Sequence, residues 1–215
     1  MEHEQELSEF TITSIRELGL TIVESQAKQF MSYLAHLITW NKTINLTAIT
    51  DHKEIIIKHF VDSLAALTST KFPLNGAVLD VGSGGGFPGI PLKIIRPDLR
   101  LVLIDPVQKK CSFLNSMIGL LTLHDISTFN GNIEQYANRT LGHAIDMVVV
   151  RALKFHDIRE HLPAVLNSNG KVVLYRAEPI THQELDGKFH LVSETTLDLP
   201  LKSGKRVISV IGMAH

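Results

Sequence analysis

Residues 78–89 read Val78-Leu-Asp-Val-Gly-Ser-Gly-Gly-Gly-Phe-Pro-Gly89, with five glycines in eight positions directly after a short β-branched run. So many glycines are wasteful for a plain turn and suit a backbone that must pass close to a ligand. The run before them has strand character and the residues after them have helical spacing, the setting of a ligand-binding glycine loop. Gly84, Gly86 and Gly89 also satisfy the dinucleotide pattern G-x-G-x-x-G. Asp80 argues against a dinucleotide, because a carboxylate ending the strand would repel the pyrophosphate that such loops hold at a helix N-terminus. It suits a cationic ligand.

The next strand ends Leu103-Ile-Asp105, which places an acid at its C-terminal tip, where a carboxylate accepts both hydroxyls of a ribose. S-adenosylmethionine has an amino-acid end, a sulfonium, a ribose and no phosphate, and so meets both demands. Strand-Asp80, Gly82-x-Gly84-x-Gly86 and strand-Asp105 together resemble the class I methyltransferases.

Outward from the loop, short β-branched runs at 77–81, 101–104, 126–129, 147–150 and 171–175 alternate with helical spacing at 88–95, 107–119 and 155–166. Such alternation predicts a doubly wound, mainly parallel α/β sheet of Rossmann-like type. After residue 186 the pattern is strand-like, at 190–199 and 206–211, and predicts a closing antiparallel hairpin. Residues 1–67 read instead as an N-terminal helical cap on the same core, with 68–215 as the methyltransferase domain. In the cap, Gly19 fits a helix C-cap, and Thr21 with Glu24 and Asp51 with Glu54 fit capping boxes. Asn41–Thr47 lacks a helical period and reads as a loop.

Composition narrows the class. Of 215 residues 44% are hydrophobic and 20% charged, ordinary for a globular chain and excluding disorder throughout. No apolar run approaches the roughly 18 residues of a membrane span, and the start MEHEQELSEF is unlike a signal peptide. One cysteine, Cys111, excludes an internal disulfide and a multi-cysteine metal site. A cytoplasmic, metal-independent protein follows as the expectation, with monomer the default at this size. Lys plus Arg is 21 against 22 acidic residues, so no global field draws the chain to nucleic acid and any polyanion site must be a local patch.

The target nucleophile is narrowed by absences. The fourth strand runs into Arg151-Ala152-Leu153, without the Asn/Asp-Pro-Pro-aromatic tetrapeptide that amino-methylating enzymes of this fold place there. Cys111 lies on the helix after the second strand and suits a structural thiol better than a covalent catalyst. Eleven histidines are scattered without metal-ligand spacing. What remains is a target already nucleophilic, such as guanine N7, which loses no proton before attack; catalysis is then positioning and electrostatics.

Three blocks resemble one family, the bacterial small-subunit (16S) ribosomal RNA guanine-N7 methyltransferases, also called glucose-inhibited division protein B. They are Trp40-Asn-Lys42 through Asn45-Leu-Thr47 with Lys58-His-Phe-Val-Asp-Ser63; Leu79 through Leu92, including Phe87-Pro-Gly-Ile-Pro-Leu92; and Leu103-Ile-Asp105 with Lys109-Lys110, Phe113-Leu114 and Val150-Arg-Ala152. The resemblance implies S-adenosylmethionine as cofactor and 16S ribosomal RNA in the small subunit as substrate. It implies that Gly82 and Phe87 line the cofactor pocket, that Asp105 holds the ribose, and that Ile133 and Glu134 meet the adenine. Asp80, Gly84 and Gly86 join this cofactor set, Asp80 orienting the amino group or the loop. Arg151 would face cofactor and substrate and, with His59, carry catalysis. Asn45, His59, Asp62 and Ser63 would shape the RNA pocket, and Lys109 and Arg176 would contact RNA, with Lys110, Arg96 and Arg100 as further phosphate contacts. Arg176-Ala177 departs from the family's Lys-Gly, which exchanges a point charge for a planar fork. Two other functions stay open at this stage: another RNA or small-molecule methyltransferase, and a non-catalytic assembly factor that binds S-adenosylmethionine.

Overall fold

A computed structural model describes residues 2–139 and 144–214. Seven strands form one sheet: β1 (Ala77–Val81), β2 (Arg100–Asp105), β3 (Ile126–Asn130), β4 (Ile145–Arg151), β5 (Leu166–Arg176), β6 (Phe189–Asp198) and β7 (Lys205–Met213). Their order is β3-β2-β1-β4-β5-β7-β6. The first five pair in parallel, whereas β7 is antiparallel to both β5 and β6. This is the doubly wound α/β sheet with a closing hairpin that the sequence predicts. The winding reverses at β1, which lies between β2 and β4 and opens a crevice at the carboxyl ends of these strands.

Alternation along β1 sends Val78 to one face and Leu79 and Val81 to the other. Val78 shares a hydrophobic cluster with residues of the N-terminal helices α1 (Glu2–Glu17) and α2 (Glu24–Ile44), among them Leu7, Ile15, Phe30 and Leu37. A composite helix follows: α3 (His52–Ile55), a π-helical turn at Ile56–Val61, and α4 (Asp62–Ser69). The remaining helices are α5 (Gly89–Ile95), α6 (Gln108–Leu120), α7 (Ile133–Arg139), α8 (Leu162–Val165) and α9 (His182–Leu185).

Local chemistry explains where these elements end. Gly19 takes φ +86 and donates its amide to the Arg16 carbonyl at 2.9 Å, closing α1 as expected. The Asp51 carboxylate accepts the Glu54 amide at 2.9 Å, a cap worth about 1 kcal/mol. The expected box at Thr21 is displaced: α2 starts after Val23, whose amide donates to the Gln26 side chain at 3.0 Å. Helix α2 also runs to Ile44, through part of the expected loop, and stops at Asn45 with φ 50. The expected helix at 155–166 is instead two 3₁₀ turns, Phe155–Asp157 and Arg159–His161, followed by α8. Pro163 accounts for this, because it lacks the amide that would bond back into a preceding turn and is tolerated only in the first turn of a new helix.

Candidate functional site

A cavity of about 630 Å³ opens at the carboxyl ends of β1, β2 and β4. Its floor is the glycine loop, and the loop is held from several sides. The amides of Gly82 and Ser83 both donate to the Ile104 carbonyl at 2.9 Å. The Gly84 amide donates to Asp105 Oδ2 at 2.9 Å, while the Val107 amide takes Oδ1 at 2.9 Å. From below, the Tyr33 hydroxyl donates to the Gly85 carbonyl at 2.5 Å. Gly82 has φ +77, and a Cβ there would lie 2.7 Å from Cδ1 of Leu153, so any other residue is strained and crowds the cavity wall.

Asp80 lies on the Val78 face, fully buried beneath this loop. Its Oδ2 accepts the Gly89 amide at 2.9 Å, and its Oδ1 has no hydrogen-bond partner among the described residues. Burial pushes the carboxyl up to about 7. It does not line the cavity. Of the two expected roles, orienting the loop is the one its place allows. Gly86 is likewise behind the wall, and a Cβ there would lie 2.6 Å from the Tyr33 hydroxyl. Gly82, Gly84, Phe87, Asp105, Ile133, Glu134 and Arg151 do line the cavity.

Arg151 ends β4 with a side chain only 15% exposed. Its Nη2 donates to the Lys58 carbonyl at 2.6 Å and to His59 Nδ1 at 3.1 Å, and its Nη1 donates to Ser63 Oγ at 3.3 Å. The π-helical turn breaks the regular helical ladder, and Arg151 supplies a donor to its carbonyls. Asp62, fully buried, lies 3.3 Å from Arg151 and is gripped through both oxygens by Arg206 at 2.5 and 2.8 Å. Tyr175 donates to the Ser63 carbonyl at 2.6 Å.

This network fixes His59. Arginine is always a donor, so Nδ1 must be a lone pair, and Nε2 carries the proton that it donates to Thr47 Oγ1 at 2.6 Å. Burial and the Arg151 charge lower the imidazole to about 3, so it is neutral. The ring stacks on Phe87 with centroids 4.6 Å apart. With both nitrogens committed, His59 has no lone pair free for proton transfer, so any part it takes in catalysis is one of position and electrostatics.

Several expected RNA contacts stand elsewhere. Asp62 and Ser63 are buried behind the cavity and brace Arg151. Arg176 spends its fork on Glu184 at 2.9 and 3.1 Å and its Nε on the Glu178 carbonyl, so it ties down its own loop. Arg96 pairs with Asp98, and Arg100 opens β2 at the strand end opposite the cavity. Lys109 is exposed on the first turn of α6, whereas its neighbour Lys110 lines the cavity with Nζ 4.0 Å from Asp105 Oδ2. Asn45 is exposed beside Leu46, which also lines the cavity. Sequence reasoning missed Tyr33 and Leu153: Tyr33 looks like any buried residue at helical spacing, and Leu153 shows its role only against Gly82.

A family model described as rRNA small subunit methyltransferase G matches residues 26–207. The protein of that name from Lachnoclostridium phytofermentans is 37% identical over 182 residues, covering 84% of this chain and 75% of its own. Its namesake from Desulforamulus reducens is 35% identical over 210 residues, covering 96% and 81%. Among solved structures, MtNAS in complex with MTA and tNA superposes with a TM-score of 0.58 at 11% identity, covering 96% of this chain and 71% of that one. The ribosomal protein L11 methylase from Lactobacillus delbrueckii subsp. bulgaricus gives 0.55 at 18% identity, covering 78% and 81%. At such identities the two structures speak for the fold alone.

Proposed function

The chain belongs to the rRNA small subunit methyltransferase G family, and on that premise we propose that it moves a methyl group from S-adenosylmethionine to N7 of one guanine in 16S ribosomal RNA, in the cytoplasm. The observation that carries this reading is the glycine loop 82–89, held by Asp105 on the Gly84 amide and by Asp80 on the Gly89 amide, under a cavity of about 630 Å³. Each Asp105 oxygen accepts one backbone amide and keeps a lone pair for a ribose hydroxyl. Ile133 and Glu134, at the start of α7, offer an apolar wall and an acceptor beside it, which suits an adenine. When bound, the cofactor supplies an electrophilic methyl on a cationic sulfur.

The chain's own residues position rather than transfer protons. Guanine N7 attacks with a lone pair and loses no hydrogen, so the site needs no base, and the committed nitrogens of His59 accord with that. A neutral His59 stacked on Phe87 gives the cavity an uncharged aromatic wall. That wall repels neither a sulfonium nor the cationic 7-methylguanine product. Arg151 clamps the π-helical turn onto β4 and so sets the distance between this wall and the glycine loop.

The test is transfer of a tritiated methyl group from S-adenosylmethionine to small subunits from cells lacking the endogenous activity, with the labelled nucleotide mapped. Label at one guanine N7 is the expected result. Label on another atom or on ribosomal protein overturns the reading.

A further inference from the structure

Of the segment Trp40–Thr47, only Leu46 lines the main cavity. The rest builds something adjacent. Asn41 Nδ2 donates to the Thr47 carbonyl at 2.8 Å, and its Oδ1 accepts the Thr47 amide at 2.9 Å, which pins Thr47 in place. The Thr47 hydroxyl oxygen then accepts from His59 Nε2 at 2.6 Å and from the Ile49 amide at 3.1 Å. Both lone pairs are used, and the hydroxyl proton has no acceptor among the described residues.

Thr47 stands in the wall of a second cavity of about 340 Å³. Leu37, Ile38, Ile49 and Ile55 form its aliphatic sides, and exposed Lys42 and Thr50 stand at its rim. Lys42 has no ion-pair partner among the described residues. The two cavities meet at Leu46-Thr47: Leu46 lines one and Thr47 the other.

We propose that this second cavity receives an unstacked nucleobase next to the methylated guanine, with the Thr47 hydroxyl donating to the base edge and Lys42 meeting its phosphate. The inference rests on the RNA reading of the main cavity. A largely apolar slot with a half-buried hydroxyl donor and a rim cation matches how proteins hold splayed single-stranded bases, through apolar contact, an edge hydrogen bond and a phosphate contact. A purely apolar ligand would leave the hydroxyl proton and Lys42 without a role.

Ile38→Trp fills the slot from α2 and leaves every residue of the main cavity wall unchanged. The expected result is a KM for small subunits raised about tenfold, the scale of one lost base contact, with kcat and the Kd for S-adenosylmethionine unchanged. An unchanged KM overturns the proposal. A second measurement covers a variant that packs poorly: p-benzoylphenylalanine in place of Thr50, irradiated with small subunits. A crosslink to a nucleotide beside the methylated guanine supports the slot; one to ribosomal protein, to distant RNA or to nothing overturns it. Wild-type protein that labels no RNA fails the reading of the main cavity, and the slot with it. Wild-type labelling with both probes negative fails the slot alone.

Discussion

Arg151 Nη2 lies 3.1 Å from His59 Nδ1, and this single contact settles which imidazole nitrogen carries the proton. It also ties the end of β4 to the π-helical turn. Phe87 is packed against both, with its ring 4.6 Å from that of His59 and 5.7 Å from the Arg151 guanidinium carbon. The three side chains are therefore one unit, and disturbing one member should move the other two.

Arg151→Gln keeps a donor but loses the fork. Asp62 keeps its bidentate Arg206, so no buried carboxylate is left bare, and the stability loss should be about 1–3 kcal/mol. Misplacing the aromatic wall should cost turnover about a hundredfold. The Arg151 charge is one of the causes that keep His59 neutral, so the imidazole should titrate at higher pH in the variant. NMR of the His59 ring through a pH series checks this. An unaltered titration would falsify the coupling.

The pH dependence of stability has two opposed contributions. His59 is neutral when folded, with its titration lowered to about 3, so its share of stability is complete above its ordinary 6.5 and is lost as pH falls below that. Asp80 is the reverse: its carboxyl is raised to about 7, so its share is complete below 3.8 and is lost as pH rises through 7. Asp80→Asn mimics the protonated acid. Its Tm should exceed that of wild type at pH 8, and the gap should shrink at pH 5. A gap of equal size at both would mean that Asp80 is not protonated in the folded state at pH 5.

The sheet and its crevice are legible because β-branched runs alternating with helical spacing, and the glycine loop, are local signals. Asp105 and Gly82 stand in the cavity wall, since strand tips and the first loop glycine have few places to go. The charged residues were read less well. Asp62 and Arg176 look like free surface charges in sequence, yet each is bound by a partner that the fold brings up; for Asp62 that partner is Arg206, 144 residues away. Apolar spacing at 155–166 predicts a helix, whereas Pro163 decides the backbone there.

Arg176 gives a prediction opposite to the one its sequence position suggests. Its donors are spent on Glu184 and neighbouring carbonyls, so Arg176→Gln should leave the salt dependence of the KM for small subunits unchanged. The segment around α9 should loosen instead, seen as faster hydrogen exchange there. A reduced salt slope would return Arg176 to the RNA contacts.

Gly82→Ala tests the cofactor loop with the smallest possible change. The new Cβ meets two obstacles: a backbone at φ +77, which costs a non-glycine residue about 1–2 kcal/mol, and Cδ1 of Leu153 at 2.7 Å. Leu153 is partly exposed and can turn away, so the fold should survive. Both obstacles, however, bear on the wall of the main cavity, because Gly82 and Leu153 each line it. Relief by Leu153 pushes a side chain into cofactor space, and relief by the backbone swings the Gly82 and Ser83 amides off the Ile104 carbonyl. Either way S-adenosylmethionine should bind at least about tenfold more weakly by calorimetry, a loss of about 1.4 kcal/mol. The double variant Gly82→Ala with Leu153→Ala should recover part of that affinity if the side-chain clash dominates. No recovery would place the whole cost in the backbone at residue 82.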